Sequence, residues 1–309
     1  MSERSAPDVS VELGPLKLKN PIMLASGTCG YVSELAAAIR VEQLGAVIPK
    51  TVTLTPRAGN PPPRTVETPC GLLNSIGLDN DGIDHFLRHH LPYLCTLRTR
   101  VIVNVAGKSA EEFAVLCERL DGQEGVAAIE LNLSCPNVAG GIDFATKPEL
   151  TERAVRRCRD ATGLPLIAKL TPNVTDIAQI AQAAVAGGAD AISAINTVLG
   201  LAVDWRQRRT RLGAGLGGLS GPAIKPIALR CVWQVARAVD RPVIGIGGIS
   251  SIDDVMEFLI TGATAVQIGT ATFYDPTLAV RLVDQLPEAL SELGAHSVRA
   301  VIGSLTIPG

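Results

Sequence analysis

The sequence has few aromatic residues and almost no net charge. Phe, Trp and Tyr make up 3% of its 309 residues, and the formal net charge is −2 at pH 7. Proteins that bind nucleic acids usually present a basic surface, often with aromatic side chains on which bases stack. We therefore predict neither a nucleic-acid partner nor attachment to an anionic membrane.

Cysteine spacing excludes further classes of protein. The cysteines are scattered, odd in number and without a C-x-x-C pair. A disulfide framework, a structural zinc site and an iron–sulfur cluster all require more regular spacing. We predict that the chain binds no metal and works in a reducing compartment. The seven are Cys29, Cys70, Cys95, Cys117, Cys135, Cys158 and Cys231.

Long apolar runs are also missing. No segment reaches the roughly 20 residues that span a bilayer, and residues 1–10 lack the apolar core of a signal peptide. Hydrophobic residues still make up 47% of the chain and charged residues 19%, a balance that favours a large core over disorder. We predict a cytoplasmic protein in which residues 1–309 form a single domain.

The chain does contain a regular alternation of apolar strands and helices. Residues 9–18 predict a β-hairpin around Gly14-Pro15, and strand–helix units follow at roughly even spacing. Eight such units, with strands apolar on both faces, predict a closed (β/α)8 TIM barrel of the α/β class. The predicted strands are residues 22–25, 46–49, 101–103, 127–133, 166–168, 191–195, 243–246 and 265–268. The predicted helices include residues 33–44 and others that begin near Ser109, Lys147, Thr175, Pro222 and Ser251.

Two segments, residues 52–82 and 197–221, are longer than ordinary connections. Loops of this length in a compact domain are usually functional or disordered, and the apolar character of residues 74–80 predicts a folded loop. Residues 213–218 read GAGLGG and match the dinucleotide-binding pattern G-x-G-x-x-G. They follow an arginine-rich loop instead of a strand, so we interpret them as a flexible hinge. The alternative fold, an open doubly wound sheet, would place such a motif near the start of the chain.

Polar residues or glycines lie at the C-terminal end of every predicted barrel strand. In (β/α)8 enzymes this rim carries the active site, so the pattern predicts a functional rim. Lys50 and Lys169 need an anion there, from a bound ligand or from a structural ion pair with Glu130. The full set is Ser26, Lys50, Asn104, Asn132, Lys169, Asn196, Gly247-Gly248 and Gly269-Thr270.

Two features of this rim predict the chemistry of its ligands. Gly247-Gly248 and Gly269-Thr270 each end a strand and precede a helix, an arrangement that offers backbone N–H groups to a phosphate. The alternative is two ordinary tight turns. Amide side chains suit a planar ligand with N–H and C=O edges, such as a pyrimidine, although each alone is typical of turns or caps. The amides are Asn74, Asn132, Asn137 and Asn196.

Other conspicuous residues have ordinary interpretations. Arg206, Arg208, Arg209 and Arg211 form a basic run of the kind that usually faces solvent. The histidines lack metal-like spacing and are predicted to be structural. Cys135 then remains the candidate for acid–base chemistry, on a turn after the alternating strand that ends near Ser134. The histidines are His85, His89, His90 and His296.

Three motifs together resemble the dihydroorotate dehydrogenase family. They are Asn132-Leu133-Ser134-Cys135-Pro136-Asn137, Asn74-Ser75-Ile76-Gly77-Leu78 and the segment GGLSGPAIKP at residues 217–226. The resemblance covers nearly the whole chain. It implies an FMN-binding (β/α)8 barrel that oxidises dihydroorotate to orotate in pyrimidine (UMP) synthesis. The C6 hydride would go to FMN N5 and the C5 proton to a base.

The resemblance also implies a subclass. The membrane-bound class uses a serine base and an N-terminal extension, whereas this chain has Cys135 and no such extension. Residues 137–141 and 217–222 are similar to the NAD-linked class 1B. That class implies a partner subunit carrying FAD and a [2Fe–2S] cluster, around a homodimer core within a heterotetramer. Alternatives are the fumarate-linked class 1A homodimer, a tRNA dihydrouridine synthase and a non-catalytic FMN-binding barrel.

Position by position, the resemblance implies three groups of site residues. Cys135 is the implied base. The implied FMN contacts are Ser26, Lys50, Thr51, Asn104, Asn132, Lys169, Ile195, Gly221, Gly247, Gly248, Gly269 and Thr270. The implied substrate contacts are Lys50, Asn74, Ser75, Ile76, Gly77, Leu78, Asn132, Asn196 and Thr197.

Overall fold

The computed structural model of the chain describes residues 6–133 and 144–307. The predicted hairpin forms as β1 (Val11–Leu13) and β2 (Leu16–Leu18), paired antiparallel. The other strands are β3 (Ile22–Leu24), β4 (Ala46–Val47), β5 (Thr65–Thr68), β6 (Gly71–Asn74), β7 (Arg100–Val105), β8 (Val126–Asn132), β9 (Leu166–Leu170), β10 (Ala191–Ala194), β11 (Val198–Leu201), β12 (Val203–Asp204), β13 (Arg209–Thr210), β14 (Leu216–Ser220), β15 (Val243–Ile246) and β16 (Ala265–Ile268).

The α-helices vary in length from one turn to four. They are α1 (Gly82–His85), α2 (Leu91–Leu94), α3 (Ala110–Leu120), α4 (Pro148–Ala161), α5 (Ile177–Ala186), α6 (Lys225–Ala238), α7 (Ile252–Thr261), α8 (Ala271–Tyr274) and α9 (Leu278–Glu292). A π-helix covers Phe86–His90, and 3-10 helices cover Val41–Gln43, Pro222–Ile224 and Val298–Ala300. None of the helices in this part of the chain has both the length and the apolar character that crossing a membrane requires.

Eight parallel strands close into a barrel, which confirms the predicted fold. Their order is β3, β4, β7, β8, β9, β10, β15 and β16, and β16 pairs with β3 to complete the ring. Most of their side chains are buried on both faces because the helices cover the outside. The carboxyl ends of all eight strands therefore meet at one rim.

The helix starts follow local capping chemistry. Ser109 and Asp176 accept hydrogen bonds from backbone amides in the first turns of α3 and α5, and Pro148 occupies the first turn of α4. Ser251 and Asp254 form a capping box at the start of α7. These are the helix starts that the sequence predicted near Ser109, Lys147, Thr175 and Ser251.

The predicted helix over residues 33–44 is wrong. This segment forms successive turns, such as Leu35 N to Val32 O and Ala38 N to Leu35 O, before the 3-10 helix Val41–Gln43. Val32 has a positive φ of 74°, which starts the segment out of the helical region. The Glu34 carboxylate accepts from Tyr31 N, so the local hydrogen bonds favour a tight turn.

The two long segments pair with each other to form a four-stranded antiparallel sheet, ordered β11-β14-β6-β5, which we call the rim sheet. Leu73 on β6 pairs with Leu219 on β14. This confirms the prediction of a folded loop over residues 74–80 and its neighbours. The hinge interpretation of residues 213–218 is wrong, because Gly217 and Gly218 lie inside β14. Their missing side chains leave room for Leu212 and Thr197.

Candidate active site

A cavity of about 1340 Å³ opens at the carboxyl ends of the barrel strands and extends to the rim sheet. It is larger than the roughly 300–1,000 Å³ of a typical single-ligand pocket, so it can hold two small molecules side by side. The predicted site residues that line it are Ser26, Lys50, Thr51, Asn74, Ser75, Ile76, Gly77, Leu78, Asn132, Lys169, Ile195, Asn196, Thr197, Gly221, Gly247, Gly248, Gly269 and Thr270.

Asn104 differs from these residues because it lies beneath the cavity wall. It is 0% exposed, and its side-chain oxygen accepts a 2.7 Å hydrogen bond from the Thr51 hydroxyl. The Ser26 hydroxyl lies 3.1 Å from the same Thr51 oxygen. Asn104 thus supports two cavity-lining hydroxyls from below.

The Glu130 carboxylate is the central hydrogen-bond acceptor of the barrel interior. Its buried carboxylate accepts hydrogen bonds from Asn104 Nδ2 at 2.7 Å, Ser193 Oγ at 2.9 Å and Gln267 Nε2 at 2.7 Å. Lys169 Nζ lies 3.7 Å from Glu130 Oε1. One carboxylate therefore links side chains from β7, β9, β10 and β16 and sets the height of Lys169 at the cavity floor.

The two predicted rim lysines have different environments. Lys169 is 5% exposed and paired with Glu130, which is the structural ion pair that the sequence left open. Lys50 is half-buried on the cavity wall, and its ammonium group has no acidic partner within residues 6–133 and 144–307. Of the two, Lys50 is therefore the cation better placed to neutralise a bound anion.

Amide side chains also line the cavity. Asn196 Nδ2 donates to Asn132 Oδ1 at 3.3 Å, and Asn74 Nδ2 donates to the carbonyl of Gly218 at 3.2 Å. Asn173, which the sequence analysis did not select, donates to the carbonyl of Thr197 at 3.1 Å. These bonds orient the amides at the cavity wall, and amide side chains offer the kinds of donor and acceptor that a planar polar ligand pairs with.

At the ends of β15 and β16, glycines line the cavity and form a cradle. The backbone amides of Gly247 and Gly248 have no hydrogen-bond acceptor among the described residues. Gly221, Gly247 and Gly248 have φ values of 93°, 133° and 76°. A Cβ atom on Gly248 would lie 2.9 Å from Gly221 O and 3.0 Å from Lys225 N. Unsatisfied amides in a cavity-lining turn that is too tightly packed for side chains suit the oxygens of a phosphate.

The helix that follows the glycine turn, α7, offers fewer free backbone amides for binding an anion than the sequence predicted. Asp254 accepts from the amides of Ser250 and Ser251, so the start of α7 is already satisfied. Burial acts to raise the pKa of Asp254, but hydrogen bonds from Lys225 and Ser250 hold that pKa below its usual range. The anion-binding amides therefore lie in the glycine turn before α7. Thr270, beside them, donates to Ser220 Oγ at 2.7 Å.

Gly248→Ala tests the cradle. We expect FMN to bind at least about tenfold more weakly, because the new methyl group meets Gly221 O and the positive φ adds backbone strain. The measurement is the dissociation constant from quenching of flavin fluorescence. Gly122→Ala is the matched control, since Gly122 has a φ of 69° with nothing within 4 Å. Equal FMN affinity in both variants would contradict the cradle.

Cys135 lies outside the described residues, as do Asn137 and the rest of residues 134–143. Its assignment as the base stays a prediction. The strand that leads to it, β8, ends at Asn132, and Leu133 after it is buried.

Several cavity or lumen residues were missed by sequence reasoning. Ser193 and Gln267 sit inside apolar strands at the level of Glu130, and a polar residue within a doubly buried strand was the available signal. Cys70 and Arg281 line the cavity from the rim sheet turn and from α9. No local pattern marked those two, since tertiary folding alone brings them to the cavity.

The fold and this cavity define a (β/α)8 barrel enzyme whose site combines a glycine anion cradle with a lysine and several amide side chains. The dihydroorotate dehydrogenase family model matches residues 9–290. Relatives named dihydroorotate dehydrogenase B (NAD(+)), catalytic subunit, are similar over nearly their whole length. The protein of Geotalea uraniireducens is 52% identical over 97% of this chain and 98% of the relative. Those of Geobacter sulfurreducens and Solidesulfovibrio magneticus are each 52% identical over 97% of this chain and 99% of the relative.

The chain therefore belongs to the dihydroorotate dehydrogenase family, and it is an oxidoreductase that acts in pyrimidine biosynthesis. The family depends on FMN. The cavity fits that cofactor, because the glycine cradle offers unsatisfied amides for its phosphate and the cavity volume leaves space for a second ligand.

Proposed function

We propose that this chain is the catalytic subunit of an NAD-linked dihydroorotate dehydrogenase, with FMN and dihydroorotate bound together in the barrel cavity. The observation that carries the proposal is Lys50, an ammonium group without an acidic partner in the described chain, in a cavity that Asn74, Asn132 and Asn196 also line. A pyrimidine carboxylate has the negative charge and the alternating N–H and C=O edges that this set recognises.

The FMN phosphate is assigned to the amides of Gly247, Gly248, Gly269 and Thr270. Ser26, Lys50, Thr51, Asn132, Lys169, Ile195 and Gly221 would hold the rest of the cofactor, and Asn104 would act through Thr51. Substrate would lie against Lys50, Asn74, Ser75, Ile76, Gly77, Leu78, Asn132, Asn196 and Thr197. One FMN per chain is expected.

The residues of this chain have three tasks in the reaction. Bound FMN supplies the acceptor for the hydride that leaves C6 of dihydroorotate. Cys135, as thiolate, takes the C5 proton, which is acidic because it is α to a carbonyl group. Lys50 and the amides stabilise the negative charge that develops on that carbonyl as the proton leaves.

The names of the relatives support NAD⁺ as the final electron acceptor. Their printed names include NAD(+) and call the chain a catalytic subunit, so we propose that a partner subunit completes the path to NAD⁺. FAD and a [2Fe–2S] cluster are assigned to that partner, within a heterotetramer built on a homodimer of this chain. A cytoplasmic location and a single domain over residues 1–309 belong to the same proposal.

A visible absorption spectrum tests the activity. We expect the purified chain to be yellow with about one flavin per chain, and we expect anaerobic dihydroorotate to bleach the flavin band. Absence of bleaching would reject the dehydrogenase reaction and favour a non-catalytic flavin-binding barrel.

The acceptor test uses the same preparation under turnover conditions. We expect no reduction of NAD⁺ by the isolated chain, and reduction once the partner subunit is added. Fumarate should not support turnover. Rapid turnover of the isolated chain with fumarate would instead assign it to the fumarate-linked class.

A further inference from the structure

Outside the active-site cavity, three possible metal ligands lie together on the segment that follows the rim sheet. They are Asp81, His85 and His90, and one ligand atom from each lies within 4.8 Å of the other two. Asp81 Oδ2 is 3.8 Å from His85 Nδ1, which is too long for a hydrogen bond. The three side chains therefore lie close together without a hydrogen bond between these two atoms.

The π-helix Phe86–His90 explains why the sequence pattern did not reveal this group. In a regular α-helix, residues five apart point about 140° away from each other. His85 and His90 have this spacing, so on a regular α-helix they would not share one face. The π-helical turn brings position i+5 under position i, so the two imidazoles share one face. Such turns occur frequently at functional sites.

Two nitrogen atoms of the group are buried without partners. His85 Nδ1 and His90 Nε2 have no solvent contact and no hydrogen bond within the described chain. The Tyr31 ring stacks on the His90 ring at 3.5 Å with 10° between their planes, which fixes the direction of the His90 nitrogens. Burying a polar atom without a partner is unfavourable, and a metal ion would satisfy both nitrogens at once.

We propose that Asp81, His85 Nδ1 and His90 Nε2 bind a divalent first-row transition metal ion, with Zn²⁺ as the preferred ion. Two imidazoles and one carboxylate are a recognised ligand set for such ions, and water would complete the tetrahedron. Bond lengths near 2.0–2.2 Å require ligand atoms about 3.3 Å apart. The exposed Asp81 side chain can rotate to close the remaining distance.

The place of the site indicates its role. Asp79, two residues before Asp81, lines the catalytic cavity, and so does Gly30, next to Tyr31. A metal ion at Asp81, His85 and His90 would fix the segment that follows the predicted substrate contacts. The stacking of Tyr31 on His90 would extend that support to the turn that carries Gly30. The ion would stabilise the cavity wall and would take no part in the oxidation.

Zinc titration tests the site. Chelator-treated, FMN-loaded protein is titrated with ZnCl₂ by calorimetry, and its Tm is measured with and without Zn²⁺. Because exposed thiols also bind zinc, the experiment uses a Cys70→Ser, Cys95→Ser background. We expect one equivalent of Zn²⁺ and a rise in Tm of at least about 2 °C that a chelator reverses.

The variants His85→Gln and His90→Gln should each weaken Zn²⁺ binding at least tenfold and remove the rise in Tm. His89→Gln is the matched control, since His89 lies between them in sequence, is exposed and is not a member of the group. The increment in Tm on adding Zn²⁺ is compared within each variant, so a general loss of stability does not affect the result. Unchanged zinc binding in both test variants would overturn the proposal.

Discussion

Cys135→Ser is expected to reduce turnover near neutral pH by about 10²–10⁴-fold while leaving FMN and orotate binding intact. The reason is that a serine hydroxyl holds its proton much more tightly than a thiol, whose ordinary pKa is about 8.5. A positioned base contributes about this factor to a proton transfer. Neither ligand is held by the base, so both dissociation constants should change little.

The assignment of Cys135 as the base also predicts the direction in which turnover changes with pH. The reactive form is the thiolate, so turnover of the unmodified protein should rise with pH until the thiol is fully ionised. Cys70→Ser is the matched control, because Cys70 lines the cavity and is exposed. It should keep the full rate and the same profile. Full activity of Cys135→Ser at neutral pH would show that another group is the base.

Much of the architecture could be predicted because local and global patterns agree. The barrel strands are mostly apolar and buried on both faces, and three of the six helices of ten or more residues in the described chain begin at a capping residue visible in the sequence: Ser109, Asp176 and Ser251. Residues 33–44 have helical spacing, yet the backbone at Val32 and the Glu34 carboxylate impose turns. Spacing alone does not report a positive φ or a side chain that captures a backbone amide.

The position of the site could be predicted better than its internal hydrogen bonds. A polar residue at the end of each strand predicts a rim, because parallel strands place their carboxyl ends together. The Glu130 carboxylate was considered only as an alternative partner for lysine, and Ser193 and Gln267 were missed. Which residues face the lumen at one height depends on the stagger between strands, and a single sequence does not contain that stagger.

Long-range packing accounts for the remaining differences. The rim sheet joins β6 and β14, which lie more than 140 residues apart, so neither segment alone indicates a strand partner. The meeting of His85 and His90 depends on one π-helical turn. The strand pairing is a tertiary contact that local propensity does not report, and residue spacing does not reveal a π-helical turn.

Glu130→Gln should destabilise the protein by about 3–5 kcal/mol and weaken FMN binding. The variant leaves the buried Lys169 ammonium without its counter-charge, and removing one member of a buried pair has a cost of this size. The new amide also replaces an acceptor oxygen with a donor, in a place where Asn104, Ser193 and Gln267 all donate. Thr51 and Lys169 would then lose the support that sets their positions at the cavity floor.

Urea denaturation in excess FMN and a flavin titration measure the two effects. Glu288→Gln is the control, since it makes the same chemical change on the exposed face of α9. The double variant Glu130→Gln, Lys169→Met removes both charges and should recover part of the lost stability, because the unpaired ammonium is gone. It should not recover FMN affinity, since Lys169 lines the cavity. If Glu130→Gln were as stable as the Glu288→Gln control, the Glu130 carboxylate would not be the acceptor that holds the polar side chains of the barrel lumen in place.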